Sequence, residues 1–83
     1  MKFEVKWDPK AEKQLEKLPK EISNRIIKKI GEVAETGRGI ESLKDFRYGF
    51  KIRIGEYRAL VDIYFNPNII VVRISGHRSI IYK

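Results

Sequence analysis

Past a short alternating stretch at the start, the hydrophobic residues of this chain change their spacing near residue 45, and that change limits the fold more than any other feature. Before it, apolar residues recur at helical spacing. Ala11, Leu15 and Leu18 form one stripe; Ile22, Ile26, Ile30, Val33 and Ala34 form another, with Ile27 beside it. Such stripes line one face of an α-helix. Pro19 stands between them. It lacks an amide proton and its ring clashes with the preceding turn, so it breaks the run into two helices, read as a helical hairpin. Asp8-Pro9 supplies an N-cap and a proline at the first helical position, and Gly37 and Gly39 end the second helix.

After the change, apolar and polar residues alternate. Phe50, Ile52 and Ile54 point one way, and Lys51 and Arg53 the other. Gly55-Glu56 fits a two-residue type II′ turn, which needs glycine first. The next strand places Tyr57, Ala59, Val61, Ile63 and Phe65 on one face and Arg58, Leu60, Asp62 and Tyr64 on the other. Asn66-Pro67-Asn68 is a turn, Ile69 to Ser75 a third strand, and Gly76 is expected to break it, leaving His77–Lys83 as a short tail with room for one helical turn. Near the start, Phe3, Val5 and Trp7 alternate with Lys2, Glu4 and Lys6, as in a half-buried strand. The expectation is one α+β domain over residues 1–83: an N-terminal strand, a helical hairpin, then a three-stranded antiparallel meander, with the helices packed on one sheet face. No repeat or linker divides it.

If the apolar sides of the strands lie under the helices, Lys51, Arg53 and Arg58 emerge together on the open face. Arg73, opposite Ile70, Val72 and Ile74, joins them. Any half-buried antiparallel sheet presents a polar side, however, so alternation alone leaves a solvated surface and a phosphate cradle both open. Charge adds to the second reading. The net charge is +7, and five of the seven arginines (Arg47, Arg53, Arg58, Arg73, Arg78) fall after residue 40. Arginine forks onto phosphate, so a basic domain with clustered arginine suggests nucleic acid as partner.

The residue inventory removes most hydrolytic chemistries. There is no cysteine, which excludes disulfides, thiol nucleophiles and cysteine-rich zinc sites and fits a cytoplasmic protein. The single histidine, His77, cannot form a paired-histidine site, and no metal-ligand spacing is present. Asp45 and Asp62, among basic neighbours, suit pairing with arginine better than holding metal ions. Nothing around His77 supports a serine triad, and no apolar run approaches membrane-spanning length. No cofactor or membrane partner is expected. A cationic site remains, and it suffices for RNA, which carries its own nucleophile. A 2′-hydroxyl attacks the adjacent phosphate if it is held in line, deprotonated, and the developing charge is neutralised. Proton transfer is the harder requirement, and crowding by positive charge lowers the pKa of a lysine placed in it.

The run Phe50-Lys51-Ile52-Arg53-Ile54-Gly55-Glu56-Tyr57-Arg58 resembles the RelE branch of the RelE/ParE toxin superfamily, with its alternating basic strand, short hairpin and Tyr-Arg opening the next strand. Arg73-Ile74-Ser75-Gly76-His77-Arg78, followed by Tyr82, resembles the Gly-His-Arg…Tyr ending of many members, and Lys17-Leu18-Pro19 matches an early helix boundary. The resemblance spans essentially the whole chain. It implies a RelE-like fold and a ribosome-dependent endoribonuclease that needs no metal, cuts messenger RNA in the ribosomal A site, inhibits translation and is silenced by a RelB-like antitoxin. By the same resemblance Lys51 and Arg53 form the basic pair. Lys51 is the candidate base, since arginine effectively cannot give up its proton. Arg58 and Arg78 bind the scissile phosphate, Tyr82 stacks on a base or assists proton transfer, and His77 is a second-rank candidate. Arg73, Arg47 and Lys44 are expected RNA contacts. Two positions depart from the best-known form: Arg53 stands where a lysine is usual, and Arg78 and Tyr82 are closer together. The superfamily also holds ParE-like poisons of DNA gyrase, which are not nucleases, so that function and a degenerate RNA-binding relative are the alternatives.

Overall fold

Both hydrophobic periods become the elements they predict. A computed structural model describes residues 2–82. In order these form β1 (Glu4–Trp7), α1 (Pro9–Glu16), α2 (Lys20–Thr36), β2 (Ile40–Ser42), β3 (Phe50–Ile54), β4 (Tyr57–Tyr64), β5 (Ile69–His77) and α3 (Arg78–Ile81). Pro9 opens α1, and Gly37 closes α2 in the left-handed conformation (φ 73°), its N–H donating to the Val33 carbonyl at 2.7 Å. Gly55 is also left-handed (φ 59°), as the expected hairpin turn between β3 and β4 requires.

The sheet has five strands in the order β1-β5-β4-β3-β2. β3, β4 and β5 are the expected antiparallel meander. Two edge strands extend it: β2 pairs antiparallel with β3, and β1 pairs parallel with β5. The sheet is therefore mixed. Ala11 and Ile26 from the helices meet Ile52, Ala59, Val61, Ile70 and Val72 from the sheet, all with 0% exposure. Each large side chain buried there contributes about 1.5–3 kcal/mol before the entropy of ordering it is subtracted.

Three expectations need correction. First, Asp8 stands at the N-cap of α1 but makes no side-chain cap; its carboxylate is taken by Arg73 instead. Secondly, Gly76 does not break the last strand. β5 runs through it to His77 and passes straight into α3. A Cβ at position 76 would come 3.0 Å from Ile81 Cγ2, so glycine lets α3 fold back onto the strand. Thirdly, the far face of the sheet is not simply open. Leu60 (0% exposed) and Ile81 (7%) are buried outside the main core, because α3 covers one end of that face.

The alternation of β5 also flips partway along. Val61 pairs with Val72, yet Leu60 pairs with Ile74, so Arg73 is an extra residue in a β-bulge. Before the bulge, Ile70 and Val72 enter the core. After it, Ser75 faces α1, donating its hydroxyl to the Ala11 carbonyl at 3.1 Å and its N–H to Gln14 Oε1 at 3.0 Å. Ile74 crosses to the side of Leu60, contrary to the strict alternation expected of it. α1 thereby closes the part of the β5 edge that β1 is too short to reach.

Candidate functional site

The register carries the basic residues to one place. Lys51 and Arg53 project from the same face of β3, and Arg53 stands directly across from Arg58 on β4. Beside Arg58 on β5 is Gly76, whose missing side chain leaves room for Ile81 at the end of α3. These elements surround an open cleft of about 500 Å³. Lys51, Arg53, Arg58 and Arg78 line it, with His77, Ser79 and Tyr82 at the α3 side. All six residues proposed from the sequence for catalysis thus meet, although 31 positions separate Lys51 from Tyr82. No carboxylate is among the lining residues.

Arg58 is the most tightly held. It is only 8% exposed, a costly position for a cation unless its donors are satisfied. Nη1 donates to the carbonyls of Gly55 (2.6 Å) and Tyr57 (2.7 Å), which anchors the guanidinium to the hairpin turn. No fully buried side-chain nitrogen or oxygen among the described residues lacks a partner, so its remaining nitrogens reach the cleft it lines. Two arginines directly across a strand pair repel one another. Such an arrangement costs stability on an otherwise well-packed sheet.

Arg53 and Arg78 are less tightly held. Both are more than half exposed, and each leans on one carboxylate at the rim: Arg53 Nε lies 3.4 Å from Glu41 of β2, and Arg78 Nε 2.7 Å from Glu56 of the turn. Such exposed pairs are weak, and an incoming phosphate competes with them. The Arg78 N–H also donates to the Glu56 carbonyl at 2.9 Å, tying α3 to the turn that holds Arg58.

His77 has a different task from the others. It is the N-cap of α3: Nδ1 accepts the Ser79 N–H at 3.1 Å and sits 2.8 Å from Ser79 Oγ. Its ring packs edge-on against Tyr57, centroids 5.3 Å apart. With Nδ1 accepting the Ser79 N–H, Nε2 is the ring nitrogen left to donate. Its geometry is that of a residue positioning Arg78 and Tyr82. Ser79 itself was missed in the sequence, where only its place two residues after a strand-ending histidine hints at capping.

The expected RNA contacts separate. Arg73, the bulge residue, does not line the cleft. Its Nε donates to Asp62 at 2.9 Å, Nη1 to both Asp8 oxygens at 3.1 Å, and Nη2 to the Tyr64 hydroxyl at 3.1 Å. Hydrogen bonds to Asp62, then to Asp8, hold its pKa above the ordinary arginine value. With two carboxylates on it, Arg73 has little charge left for a phosphate; it latches β1, β4 and β5 together. Lys44 is exposed in the loop before β3, away from the cleft, and Arg47 lines a separate cavity beside Tyr82. Among the described residues no group of three His, Cys, Asp or Glu side chains is placed to hold a metal ion, and no helix is long and apolar enough to cross a membrane.

Comparison with known proteins bears on the family and the fold. A family model described as the ParE toxin of the type II toxin–antitoxin system parDE matches residues 5–82. Curated proteins provide no significant match. Among solved structures, the chain is similar to one in the toxin–antitoxin complex RelBE2 of Mycobacterium tuberculosis, with 25% identity and a TM-score of 0.81 over 95% of this chain and 94% of that one. A chain of the RelB–RelE antitoxin–toxin complex of Methanococcus jannaschii is 25% identical, with a TM-score of 0.71 over 95% of this chain and 96% of its own. The archaeal RelE–RelB complex of Pyrococcus horikoshii OT3 contains a chain that shares the fold at 18% identity, with a TM-score of 0.77 over 96% and 99% of the two chains.

Proposed function

From the premise that this chain belongs to the ParE toxin family of type II toxin–antitoxin systems, within the RelE/ParE superfamily, we propose that it is a RelE-type endoribonuclease that cuts messenger RNA in the ribosomal A site. The observation that carries this reading is the cleft: four cations and a tyrosine converge on it, with no carboxylate lining it. A protein-docking surface has no need to crowd Arg53 against Arg58. A phosphate in the cleft does, because it takes two forks and neutralises both.

In the proposed reaction, the phosphate sits between Arg58 and Arg78. Lys51 is the base that takes the proton of the 2′-hydroxyl. The 2′-oxygen bonds to phosphorus, the bond from phosphorus to the 5′-oxygen breaks, and that oxygen leaves with a proton from solvent. The products are a 2′,3′-cyclic phosphate and a 5′-hydroxyl. Arg58, fixed in advance by two backbone carbonyls, meets the developing charge without reorganising. Arg53 adds charge but no base. Tyr82 sets its ring against a base beside the cut. The similarity to toxin chains solved in complex with RelB supports a RelB-like antitoxin as the silencing partner.

The description of the matching family favours one other reading, a gyrase poison that binds protein and leaves RNA intact. Programmed ribosomes decide between them. Messenger cuts in the A site, mapped by primer extension and lost in Arg58→Ala and Arg78→Ala, are expected. Intact messenger together with gyrase-dependent DNA breaks would select the other reading.

A further inference from the structure

Next to the cleft, sharing Tyr82 with it, lies an aromatic cavity whose other residues the proposed cutting reaction leaves without a role. The bent segment between β2 and β3 carries Lys44-Asp45-Phe46-Arg47-Tyr48, basic and aromatic residues interleaved. Its ends are fixed: the Leu43 N–H donates to the Gly49 carbonyl at 2.9 Å, and the Gly49 N–H to Asp62 Oδ1 at 3.2 Å. Phe46 is thereby held against Tyr82 of the cleft, ring centroids 5.9 Å apart at 77°, and against Tyr48, 6.5 Å apart at 60°. Phe46 and Tyr82 keep 39% and 40% of their surface exposed. They surround about 280 Å³, floored by Ile74 and Ile81 and flanked by Lys10 and Arg47.

We propose that this cavity is a nucleobase subsite, which takes an unpaired RNA base neighbouring the cut nucleotide. The inference rests on the RNA-cleaving reading and extends it. Tyr82 lines both the cleft and this cavity, so a strand whose phosphate lies at Arg58 and Arg78 has its next base within reach of Phe46. The edge-on packing leaves aromatic faces free, and any base can stack on such a face. Lys10 and Arg47 stand where the flanking phosphates run, matching the pairing of stacking platform and cation that single-stranded RNA sites use. A solvated aromatic cluster is otherwise costly, and Phe46 belongs to neither the main core nor the lining of the cleft.

The test uses the whole chain and programmed ribosomes whose message is made uncleavable by 2′-O-methylation at the cut. Binding is measured with intact message and with single abasic sites placed in turn at the cut nucleotide and its neighbours. Phe46→Ala should weaken binding to intact message on the order of 5- to 100-fold. It should have no effect when the abasic site sits at the neighbouring nucleotide that Phe46 serves. Phe46→Tyr should restore binding, and Phe46→Leu, which keeps apolar bulk without a π-face, should not. Equal losses on intact and abasic messages, or no loss at all, overturn the subsite while leaving cleavage at Arg58 standing. A Phe46→Ala effect confined to antitoxin affinity would assign the cavity to a protein partner and overturn it too. If the unaltered protein does not engage the message at all, the RNA-cleaving reading fails first, and the subsite with it.

Discussion

Arg58 illustrates how much of the proposed chemistry depends on one side chain being held still. Its Nη1 is spent on the Gly55 and Tyr57 carbonyls, and the rest of the fork remains for a ligand. Lysine has the charge but not the fork, so Arg58→Lys should lose both the anchor and the bidentate contact. Single-turnover cleavage on programmed ribosomes is expected to fall on the order of 100-fold or more, with little change in toxin binding to the ribosome. Arg53 leads to the opposite kind of prediction for stability. It faces Arg58 across the strands, so Arg53→Gln removes a like-charge repulsion. Thermal unfolding should show a gain of about 0.2–1 kcal/mol together with reduced cleavage. A variant that lost stability instead would mean that the pair with Glu41 outweighs the repulsion.

At the scale of elements, the bulge in β5 decides which side chains face where. Arg73 occupies it and holds Asp8, Asp62 and Tyr64 from β4 and the end of β1. Arg73→Ala leaves two partly buried carboxylates without their cation. A loss of about 1–3 kcal/mol is expected, read as a drop in Tm of about 4–8 °C per kcal/mol in a domain of this size. Because its pKa is raised, the stabilising contribution of the Arg73 cation is lost on the alkaline side only as pH climbs above the ordinary arginine range. Gly76 is the matching device for α3. In Gly76→Ala the new Cβ lies 3.0 Å from Ile81 Cγ2, so this buried side chain has to give by a few tenths of an ångström, and a shift of α3 that disturbs Arg78 and Tyr82 is expected. Cleavage should fall by roughly tenfold or more while the sheet stays folded, since displacement of reacting groups by about 1 Å costs that much or more. Circular dichroism alongside the ribosome assay separates the two effects.

For the whole molecule, a charge of +7 makes association with RNA dependent on salt, but the cations do not contribute equally. Arg78 is exposed in the cleft with one weak partner, whereas Arg73 is already paired with two carboxylates. The slope of log affinity against log salt, measured for binding to programmed ribosomes, should become shallower by about one unit in Arg78→Ala and stay nearly unchanged in Arg73→Ala. Equal changes in the two variants would contradict the division between a functional and a structural arginine.

How much of this was legible beforehand follows from the range of the forces involved. Periodicity and turn chemistry are local. The helical stripes ending at Ala34, the Gly55 turn and the alternation of β3 could therefore be read in order, and with them the side on which Lys51, Arg53 and Arg58 emerge. The residue inventory likewise narrowed the chemistry to cations before any contact was known, and Asp62 was rightly expected to pair with an arginine. The rest depended on pairing between distant segments. β2 spans three residues, too few for a period, and exists because β3 offers it an edge. Strict alternation put Arg73 on the open face, the side that also carries Asp62, but it could not show that Asp62 and the distant Asp8 take up its charge. Gly76 looked like a breaker because its neighbour Ile81 was out of sight. The sequence by itself determined the elements and the kind of charge they carry. Only the tertiary structure decided which cations stay free, because that depends on which carboxylates the sheet register brings within reach.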